Sequence, residues 1–411
     1  MSPAPNPPQS VVIIGAGHAG GTVAAHLRQD GFTGSITLIG EEAVAPYQRP
    51  PLSKAWLAGT SSLDHVILRP ESWYSENDVD LRLGVRVESI DRNARNVTLE
   101  GGETLAYEAL VIATGARPRK LGLAGEALPG VFSLRTLADA EALKSSLRKG
   151  SALALIGAGY IGLEVAASAR KAGARVIILE REARCAARVA SETLSRFLEG
   201  FHRARGVEFE FNTRIDSLAG SRAVSGVVLD DGRTLDCDLV LIGAGVVPND
   251  ELAREAGLEC GNGIIVDDIA RTSDPAIFAI GDVSFRPLAL YDAHARLESV
   301  PNALEQARCV SHVLTGKAPA APEVPWFWSD QYELKIQLAG LPMDATSQLV
   351  RGDPATGSFA VFHLKGDLIR AVEAVNAPPE FMFGRKLIGQ GTRVDPVRLA
   401  DISISMKQVA L

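Results

Sequence analysis

Two glycine-rich segments have the residue spacing of a loop that holds a diphosphate. They read Gly15-Ala16-Gly17-His18-Ala19-Gly20 and Gly157-Ala158-Gly159-Tyr160-Ile161-Gly162. In this pattern the first glycine makes a tight turn, the second lets the backbone approach a pyrophosphate, and the third allows close helix packing. The helix that follows presents free N–H groups and about half a positive charge to the phosphates. We therefore predict two dinucleotide sites, whose cofactor contacts include the glycines together with His18 and Ala19 in the first turn and Tyr160 and Ile161 in the second.

An acidic residue follows each segment at the distance expected for a ribose contact. In each copy a helix and a second strand come after the turn, and they lead to Glu41 in one and Glu180 in the other. A carboxylate about 20 residues after the turn can accept hydrogen bonds from ribose hydroxyls. Glu180 would also repel a 2′-phosphate, so if the second site binds a nicotinamide dinucleotide, the sequence favours NADH over NADPH. Arg181 and Arg184 follow closely, and could either bind that phosphate or lie in solvent.

Three later segments would complete a flavin pocket around the first turn. Ala113-Thr114-Gly115 is a small-residue turn after a strand, and residues 243–249, which include Gly245, form the crossover back from the second domain. In the third segment a strand ends at Gly281-Asp282, where the aspartate could bind ribityl hydroxyls or cap a helix. An N-terminal turn of this kind often holds FAD, so we assign FAD to the first site and a nicotinamide dinucleotide to the second.

The pattern of apolar runs predicts the elements that position these residues. Continuous β-branched runs separated by helical patterns indicate buried parallel sheets, hence an α/β architecture. The runs lie at residues 11–14, 36–39, 110–113, 152–156, 176–179, 239–242 and 277–280. From about Pro325 onward, strand-like segments followed by a helix ending near Gln390 indicate a smaller α+β domain, reached through a linker at residues 315–325.

These elements predict two Rossmann-like dinucleotide-binding domains and a small α+β C-terminal domain. The expected FAD-binding domain is split, at residues 11–115 and 247–324, around an NAD-binding domain at residues 116–246. Residues 325–411 form the expected C-terminal interface domain, and residues 1–10 a flexible tail. A length of 411 residues agrees with two or three domains of roughly 150 residues each.

Composition and cysteine spacing narrow the chemistry. With 46% hydrophobic and 22% charged residues the chain is typical of globular proteins, and its net charge of -7 argues against a nucleic-acid partner. No apolar stretch of about 18 residues and no signal-peptide pattern occurs, so we expect a cytoplasmic protein without a membrane contact. Zinc and iron–sulfur ligand spacings are absent, and no metal site is predicted, because the cysteines are far apart: Cys185, Cys237, Cys260 and Cys309.

Together these segments resemble the glutathione-reductase-like flavoproteins with two dinucleotide domains. More narrowly, the chain resembles the FAD-dependent ferredoxin reductases of bacterial oxygenase systems, of the putidaredoxin reductase and biphenyl dioxygenase reductase type. The resemblance is carried by Arg49-Pro50-Pro51-Leu52-Ser53-Lys54, by residues 157–164, and by Pro325-Trp326-Phe327-Trp328-Ser329-Asp330-Gln331. Disulfide-reducing relatives carry a redox cysteine in the first of these regions or a pair in the nicotinamide domain, and this chain has neither. Electrons that reach the flavin are therefore expected to leave directly from it.

The resemblance implies electron flow from NADH through FAD to a two-iron ferredoxin that serves an oxygenase. It implies a buried ion pair between Lys54 and Glu164 beside the flavin's hydride-accepting nitrogen, although Glu164 could instead be a carboxylate favoured by the helix dipole. Tyr160 would cover the flavin until nicotinamide displaces it, or would simply pack on the sheet. Trp328 would lie near the flavin edge, or would belong to an aromatic strand of the C-terminal core. Arg49 lies in the same motif as Lys54 and is a further expected cofactor contact.

Two other functions stay open at this point. Reductases of monodehydroascorbate or quinone share the fold and can lack a redox cysteine, although residues 401–411 look too short and mixed for the membrane-binding helix of a quinone reductase. Apoptosis-inducing-factor-like proteins share the domains but act partly as redox-responsive binding modules. A monomer and a homodimer are both compatible with the sequence. An acidic ferredoxin would need a basic docking surface, for which the candidates are Arg69, Arg308, Arg385 and Lys386.

Overall fold

The computed structural model describes residues 7–411, and the chain divides into two compact units. The expected N-terminal tail therefore lies mostly outside the described residues. The first unit contains the chain up to Gln48 together with Leu63–Arg117 and Val247–Trp326. The second unit contains Arg49–Ser62, Pro118–Val246 and Phe327–Leu411.

The first unit is built on a five-stranded sheet whose adjacent strands are all parallel. From one edge to the other its strands are Val79–Leu83, Ser35–Gly40, Ser10–Ile14, Ala109–Ile112 and Ile277–Ala279. Such strands are apolar throughout because both faces of the sheet are covered, and Val11 to Ile14 are all buried. Helices His18–Gln29 and Val300–Leu314 pack together and bury their apolar side chains in the same core.

Smaller elements complete this unit. One three-stranded antiparallel sheet contains Val87–Asp91, Asn96–Leu99 and Thr104–Ala106. A four-stranded sheet contains Cys260–Gly261, Gly263–Ile265, Ser284–Leu288 and Ala293–Ala295. The short helices are Leu63–Val66, Glu71–Glu76 and Glu251–Glu255, with 3-10 turns at Gly281–Val283 and Ala289–Tyr291.

The second unit begins with a repetition of the same sheet plan. Its parallel strands lie in the order Val207–Glu210, Arg175–Leu179, Ala152–Ile156, Leu239–Ile242 and Val131–Phe132. The strand that precedes the glycine turn is thus central in both sheets. A three-stranded sheet is added by Ile215–Gly220, Val224–Leu229 and Thr234–Asp236. The helices are Leu137–Ser146, Tyr160–Lys171 and Glu192–Arg203, with a 3-10 turn at Pro50–Ser53. The short strands Ala116–Pro118 and Val246–Pro248 contain two of the points where the chain passes from one unit to the other.

An antiparallel sheet and two helices form the C-terminal part of the second unit. In sheet order the strands are Trp326–Gln331, Leu334–Gly340, Leu368–Val375, Ser358–Lys365 and Ser347–Asp353. The helices are Pro378–Gln390 and Pro396–Ala400, with a 3-10 turn at Pro354–Thr356. Apolar residues of this sheet, such as Ile336 and Val361, share a core with Leu155 and Leu163 of the preceding parallel-sheet region.

The predicted fold class is confirmed: two Rossmann-like sheets are followed by a small α+β domain. Each of the seven predicted apolar runs corresponds to a strand whose ends agree to within about one residue. Within residues 7–411, no helix combines the length and the apolar composition that would be needed to cross a membrane.

Candidate functional site

The first glycine turn, between strand Ser10–Ile14 and helix His18–Gln29, has the shape that a diphosphate needs. Gly15 has φ +109°, and a side chain there would collide with the carbonyl oxygen of Ala113. Gly17 has no atom within 4 Å of the position a Cβ would occupy, so its backbone faces open space. The helix has neither a side-chain N-cap nor an acidic residue in its first turn. Its N–H groups and positive dipole end can therefore bind an anion.

The second turn has the same construction. Gly157 has φ +106°, and a Cβ there would lie 2.6 Å from the carbonyl oxygen of Gly243. Gly162 is held against the carbonyl oxygen of Gly157, whereas a Cβ added to Gly159 would again have no atom within 4 Å. Helix Tyr160–Lys171 also begins without a side-chain cap. The turns at residues 15–20 and 157–162 thus each have a shape that fits a pyrophosphate, and we call them the first and the second cradle.

The two predicted ribose carboxylates lie directly after the second strand of their respective sheets. Glu41 follows strand Ser35–Gly40 and is exposed. Glu180 is half-buried, and its two oxygens accept hydrogen bonds from the backbone N–H groups of Ala158 (2.7 Å) and Glu182 (2.9 Å). A carboxylate has about four lone-pair sites, so Glu180 retains about two for ribose hydroxyls. The bond to Ala158 fixes Glu180 against the second glycine turn.

The two arginines that could reverse the nicotinamide preference differ in their surroundings. Arg184 donates to the carbonyl oxygens of Ala187 (2.9 Å) and Ala190 (2.8 Å), and also to Ser195 Oγ. Its guanidinium is therefore used to hold the loop that precedes helix Glu192–Arg203. Arg181 is exposed and pairs with Glu182, with 3.0 Å between Nη2 and the carboxylate oxygen.

The structure brings several predicted FAD contacts together within the first unit. A Cβ added to Gly281 would lie 3.1 Å from the Cβ of Ala19, so the Gly281-Asp282 segment passes close to the first glycine turn. His18 Nδ1 is buried without a hydrogen-bond partner, and burial lowers the pKa of His18 against the opposing charge of Asp282. An orphaned buried nitrogen beside the open Gly17 position fits a site shaped for a polar ligand.

The turn at residues 113–115 is held by hydrogen bonds to Asn249, in the segment where the chain returns to the first unit. Thr114 Oγ1 donates to the carbonyl oxygen of Asn249 at 2.7 Å, and Asn249 Nδ2 donates to the carbonyl oxygen of Thr114 at 2.9 Å. The Asn249 N–H also donates to the carbonyl oxygen of Gly115. In the second unit, Gly245 has φ +90° and its carbonyl oxygen accepts from the N–H of Arg119. The sequence prediction did not include Asn249 as the residue that orients this turn.

Lys54 and Glu164 form an ion pair in the second unit. Lys54 Nζ lies 2.8 Å from Glu164 Oε2, and the side chains are 18% and 5% exposed. Helix Tyr160–Lys171 packs against the 3-10 turn Pro50–Ser53, which brings the two residues together. Arg49, at the start of that turn, is half-buried and donates to the carbonyl oxygen of Arg135 at 2.6 Å.

Two serines that the sequence prediction did not assign also bind Glu164. Ser53 Oγ donates to Oε2 at 2.5 Å, and Ser329 Oγ donates to Oε1 at 2.6 Å. Both serines lie inside motifs that carried the family resemblance, but serine is too common to suggest this role from sequence. The buried carboxylate is thus held by one cation and two hydroxyl groups, so its charge is compensated.

Each of the two predicted aromatic contacts lies on an element that also carries a residue of this cluster: Tyr160 shares a helix with Glu164, and Trp328 adjoins Ser329 on its strand. Tyr160 opens the helix that carries Glu164, and its ring packs edge-on against Phe327 with 5.1 Å between centroids. The Tyr160 hydroxyl is buried without a partner, and burial raises its pKa well above the usual range. Its neighbour Ile161 is largely exposed at the helix start. Trp328 is half-buried on strand Trp326–Gln331.

The four cysteines form no disulfide bond, and burial raises the pKa of each thiol. Cys185, Cys237 and Cys309 are buried, and Cys260 is half-buried. Burial raises the pKa of Cys185 to about 12 and that of Cys237 to about 11, so little reactive thiolate forms at neutral pH. A redox disulfide is therefore not part of this site.

Each of the two parallel sheets has an open glycine turn directly after its central strand, and the pair of turns defines a class of protein with two dinucleotide-binding domains. Comparison with known proteins places the chain more narrowly. The family model described as pyridine nucleotide-disulphide oxidoreductase matches residues 9–307, and the model described as reductase C-terminal matches residues 326–410. The chain belongs to the pyridine nucleotide-disulphide oxidoreductase family, and this membership implies FAD and NAD(H) as its cofactors.

Similar proteins extend over the full length of the chain. A probable ferredoxin reductase of Castellaniella defragrans is 46% identical over 408 residues, which is 99% of this chain and 100% of that protein. Putidaredoxin reductase of Pseudomonas putida is 42% identical, covering 98% of this chain and 97% of that protein. The crystal structure of a covalent putidaredoxin reductase–putidaredoxin complex matches with a TM-score of 0.96 at 42% identity, covering 98% of both chains.

Proposed function

We propose that the chain is an NADH-dependent ferredoxin reductase that supplies electrons to an oxygenase. The observation that carries this proposal is the full-length similarity to ferredoxin reductases, which includes the C-terminal domain. The unpaired cysteines, three of them buried and one half-buried, support it, because a route through a thiol pair is not available. Electrons must then pass from the bound flavin to an external acceptor.

The reaction balances with two acceptor molecules per NADH. Oxidation of NADH to NAD⁺ releases one hydride, which carries two electrons, and each two-iron ferredoxin takes up one. One NADH therefore reduces two ferredoxins and releases one proton. Bound FAD would supply the chemistry that joins these steps, because flavins accept a hydride and can release single electrons.

The chain's own residues bind and orient the reactants. In this proposal Gly15, Gly17 and Gly20 hold the FAD pyrophosphate, and Gly157, Gly159 and Gly162 hold that of NADH. The remaining FAD contacts are His18, Ala19, Glu41, Arg49, Ala113, Thr114, Gly115, Gly245, Gly281 and Asp282. The remaining nicotinamide contacts are Ile161 and Glu180.

Lys54 has an electrostatic role in this proposal. Its ammonium group, fixed by Glu164, would stabilise negative charge that develops on the flavin ring as a hydride arrives. Tyr160 would shield the ring until nicotinamide binds, and Trp328 would lie near the flavin edge. These roles come from the family resemblance, and the fixed Lys54–Glu164 pair supports the first of them.

A preference for NADH is proposed from the position of Glu180. Its carboxylate is fixed by Ala158 beside the second cradle, where it would repel a 2′-phosphate. Arg184 is already bonded to carbonyl oxygens and a hydroxyl group, which leaves it less able to bind that phosphate.

The site of ferredoxin docking and the cellular location are further parts of the proposal. Among the basic candidates, Arg69 lies over the ring of Trp73, Arg308 pairs with Glu323, and Lys386 is exposed. An acidic ferredoxin would make electron transfer slower at high salt if these charges guide docking. A cytoplasmic location is proposed as well, as expected from the lack of a signal-peptide pattern in the sequence.

The decisive experiment is an anaerobic titration of the purified protein with NADH, followed by mixing with a panel of two-iron ferredoxins. The expected result is loss of flavin absorbance on adding NADH and then rapid reduction of at least one ferredoxin. Flavin reduction without ferredoxin reduction, together with turnover of monodehydroascorbate or a quinone, would select the small-acceptor alternative. Slow NADH oxidation with none of these acceptors would favour a redox-responsive binding protein. A preparation without flavin would refute the proposal.

A further inference from the structure

A buried chain of hydrogen bonds ends on the carboxylate of Glu164. Ser329 Oγ donates to Glu164 Oε1 at 2.6 Å, and Gln331 Nε2 donates to Ser329 Oγ at 3.1 Å. His202 Nε2 lies 2.8 Å from Gln331 Oε1. Ser329, Gln331 and His202 have no exposed surface. Four polar side chains are therefore connected in a part of the core that water does not reach.

The direction of this chain follows from which atoms can donate. Gln331 uses its amide nitrogen toward Ser329, so its Oε1 faces His202 and can only accept. Burial lowers the pKa of His202 to about 4, so the imidazole is neutral at pH 7 and its single proton must be on Nε2. His202 Nδ1 has no partner, as expected for the unprotonated nitrogen. Each donor in the chain thus points toward Glu164.

The strand that carries two of these residues explains their placement. Alternate side chains of Trp326–Gln331 face opposite sides, so Ser329 and Gln331 both face the core while Asp330 is only half-buried. Helix Glu192–Arg203 supplies His202 from the other direction. The oriented chain stabilises the negative charge of Glu164, whose only charged contact among the described residues is Lys54.

We propose that Ser329 is a positioning residue for hydride transfer, acting through Glu164 on Lys54. Its hydroxyl fixes Oε1 of the carboxylate, so that Oε2 is directed to Lys54 and the ammonium group is held in one place. The orientation of the hydroxyl is set in turn by Gln331 and His202. This inference rests on the proposed electrostatic role of Lys54 toward the flavin.

The test uses the flavin-loaded enzyme and three serine variants. S329A removes the hydroxyl, and S329T keeps it. S311A is the matched control, because Ser311 is also fully buried and donates to a carboxylate, that of Asp30, at 2.6 Å. The measurements are the flavin midpoint potential by dye equilibration and the rate of flavin reduction by NADH in an anaerobic stopped-flow instrument.

We expect S329A to lower the midpoint potential and to slow flavin reduction by roughly tenfold, the effect of losing a hydrogen bond to a charged group. The reason is that loss of a donor leaves Glu164 less neutralised and Lys54 less fixed, so negative charge on the ring is less favoured. S329T should retain most of both properties, and S311A should change neither. If S329A does not fold, Gln331→Met keeps the hydroxyl but not its orientation, and should shift both values in the same direction by less.

Two outcomes separate failure of this inference from failure of the proposed function. If S329A and Gln331→Met change neither potential nor rate while Lys54→Met changes both, Ser329 does not position the pair and the inference is refuted. If Lys54→Met also changes neither, the electrostatic role of the pair is refuted. Ferredoxin reduction by wild-type enzyme tests the reductase function separately from both.

Discussion

Gly159 allows cofactor binding to be separated from folding. Its φ is −73°, which other residues adopt readily, and no atom lies within 4 Å of an added Cβ. Gly157, two residues earlier, has φ +106° and would place a Cβ 2.6 Å from the carbonyl oxygen of Gly243. The same substitution to alanine should therefore have opposite consequences at these two positions.

The expected changes in stability and in NADH affinity follow from the space around the added methyl group at each position. Gly159→Ala introduces no clash within the protein, and a compatible Gly→Ala change raises the free energy of unfolding by about 0.4–1 kcal/mol through the unfolded chain. The new methyl group occupies the space proposed for the NADH pyrophosphate, where overpacking of about 1–3 kcal/mol would weaken binding roughly fivefold to 150-fold. Gly157→Ala combines a clash with a strained φ, and should destabilise the protein by about 1–3 kcal/mol or more.

The assay combines urea unfolding of the flavin-loaded protein with NADH binding measured by anaerobic titration. Gly17→Ala provides the parallel test at the first cradle, where retention of FAD is measured instead. Gly159→Ala with unchanged NADH affinity would refute the assignment of the second cradle to the pyrophosphate. A strongly destabilised Gly159→Ala variant would refute our account of the open space at this turn.

Three further predictions follow from other parts of the structure. The unfolded chain binds a proton near pH 6.5 that buried His202 accepts only near pH 4, so stability should fall by about 3 kcal/mol as the pH is lowered across that interval. When urea unfolding is measured at several pH values, H202Q should lose less stability than wild type as the pH falls. H294Q, at an exposed site, should lose as much stability as wild type. E180Q should reduce the NADH-to-NADPH ratio of kcat/KM by roughly tenfold, and an unchanged ratio would contradict the role of this carboxylate. Because burial raises the pKa of Cys185 and Cys237, iodoacetamide should leave both unmodified in the native protein, and full flavin reduction after replacing both with alanine would agree with a thiol-free route. Loss of flavin reduction in a folded double variant would contradict that route.

The sequence predicted the parts of the fold that depend on local pattern. Buried parallel strands are apolar throughout, and the spacing of glycines after them indicates a turn and a helix, so both cradles could be located. The ion pair between Lys54 and Glu164 came instead from the family resemblance, since local spacing does not relate residues so far apart. The structure adds its two serine donors and the bonds that fix Glu180.

The hydrogen-bond chain behind Glu164 could not be predicted from the sequence. Ser329 is 165 positions from Glu164, and His202 is 129 positions from Gln331. No periodicity relates residues so far apart. The local sequence around a buried polar residue in a strand also does not distinguish it from a polar residue on the surface. Only the packing of helix Glu192–Arg203 beside the C-terminal sheet brings His202 Nε2 to Gln331 and completes the chain.

The buried carboxylate of Glu164 requires compensation that does not remove its charge. A second cation could neutralise Glu164, but it would also compete with Lys54 for the same oxygen atoms. Neutral donors stabilise the carboxylate while leaving Lys54 as its ion-pair partner, and Ser329 does so at Oε1, the oxygen that Lys54 does not contact. In this chain those donors come from the turn that precedes Lys54 and from the first strand of the C-terminal domain. The C-terminal domain therefore contributes directly to the environment of the ion pair, and changes in that strand should alter flavin reduction if the proposed role of Lys54 holds.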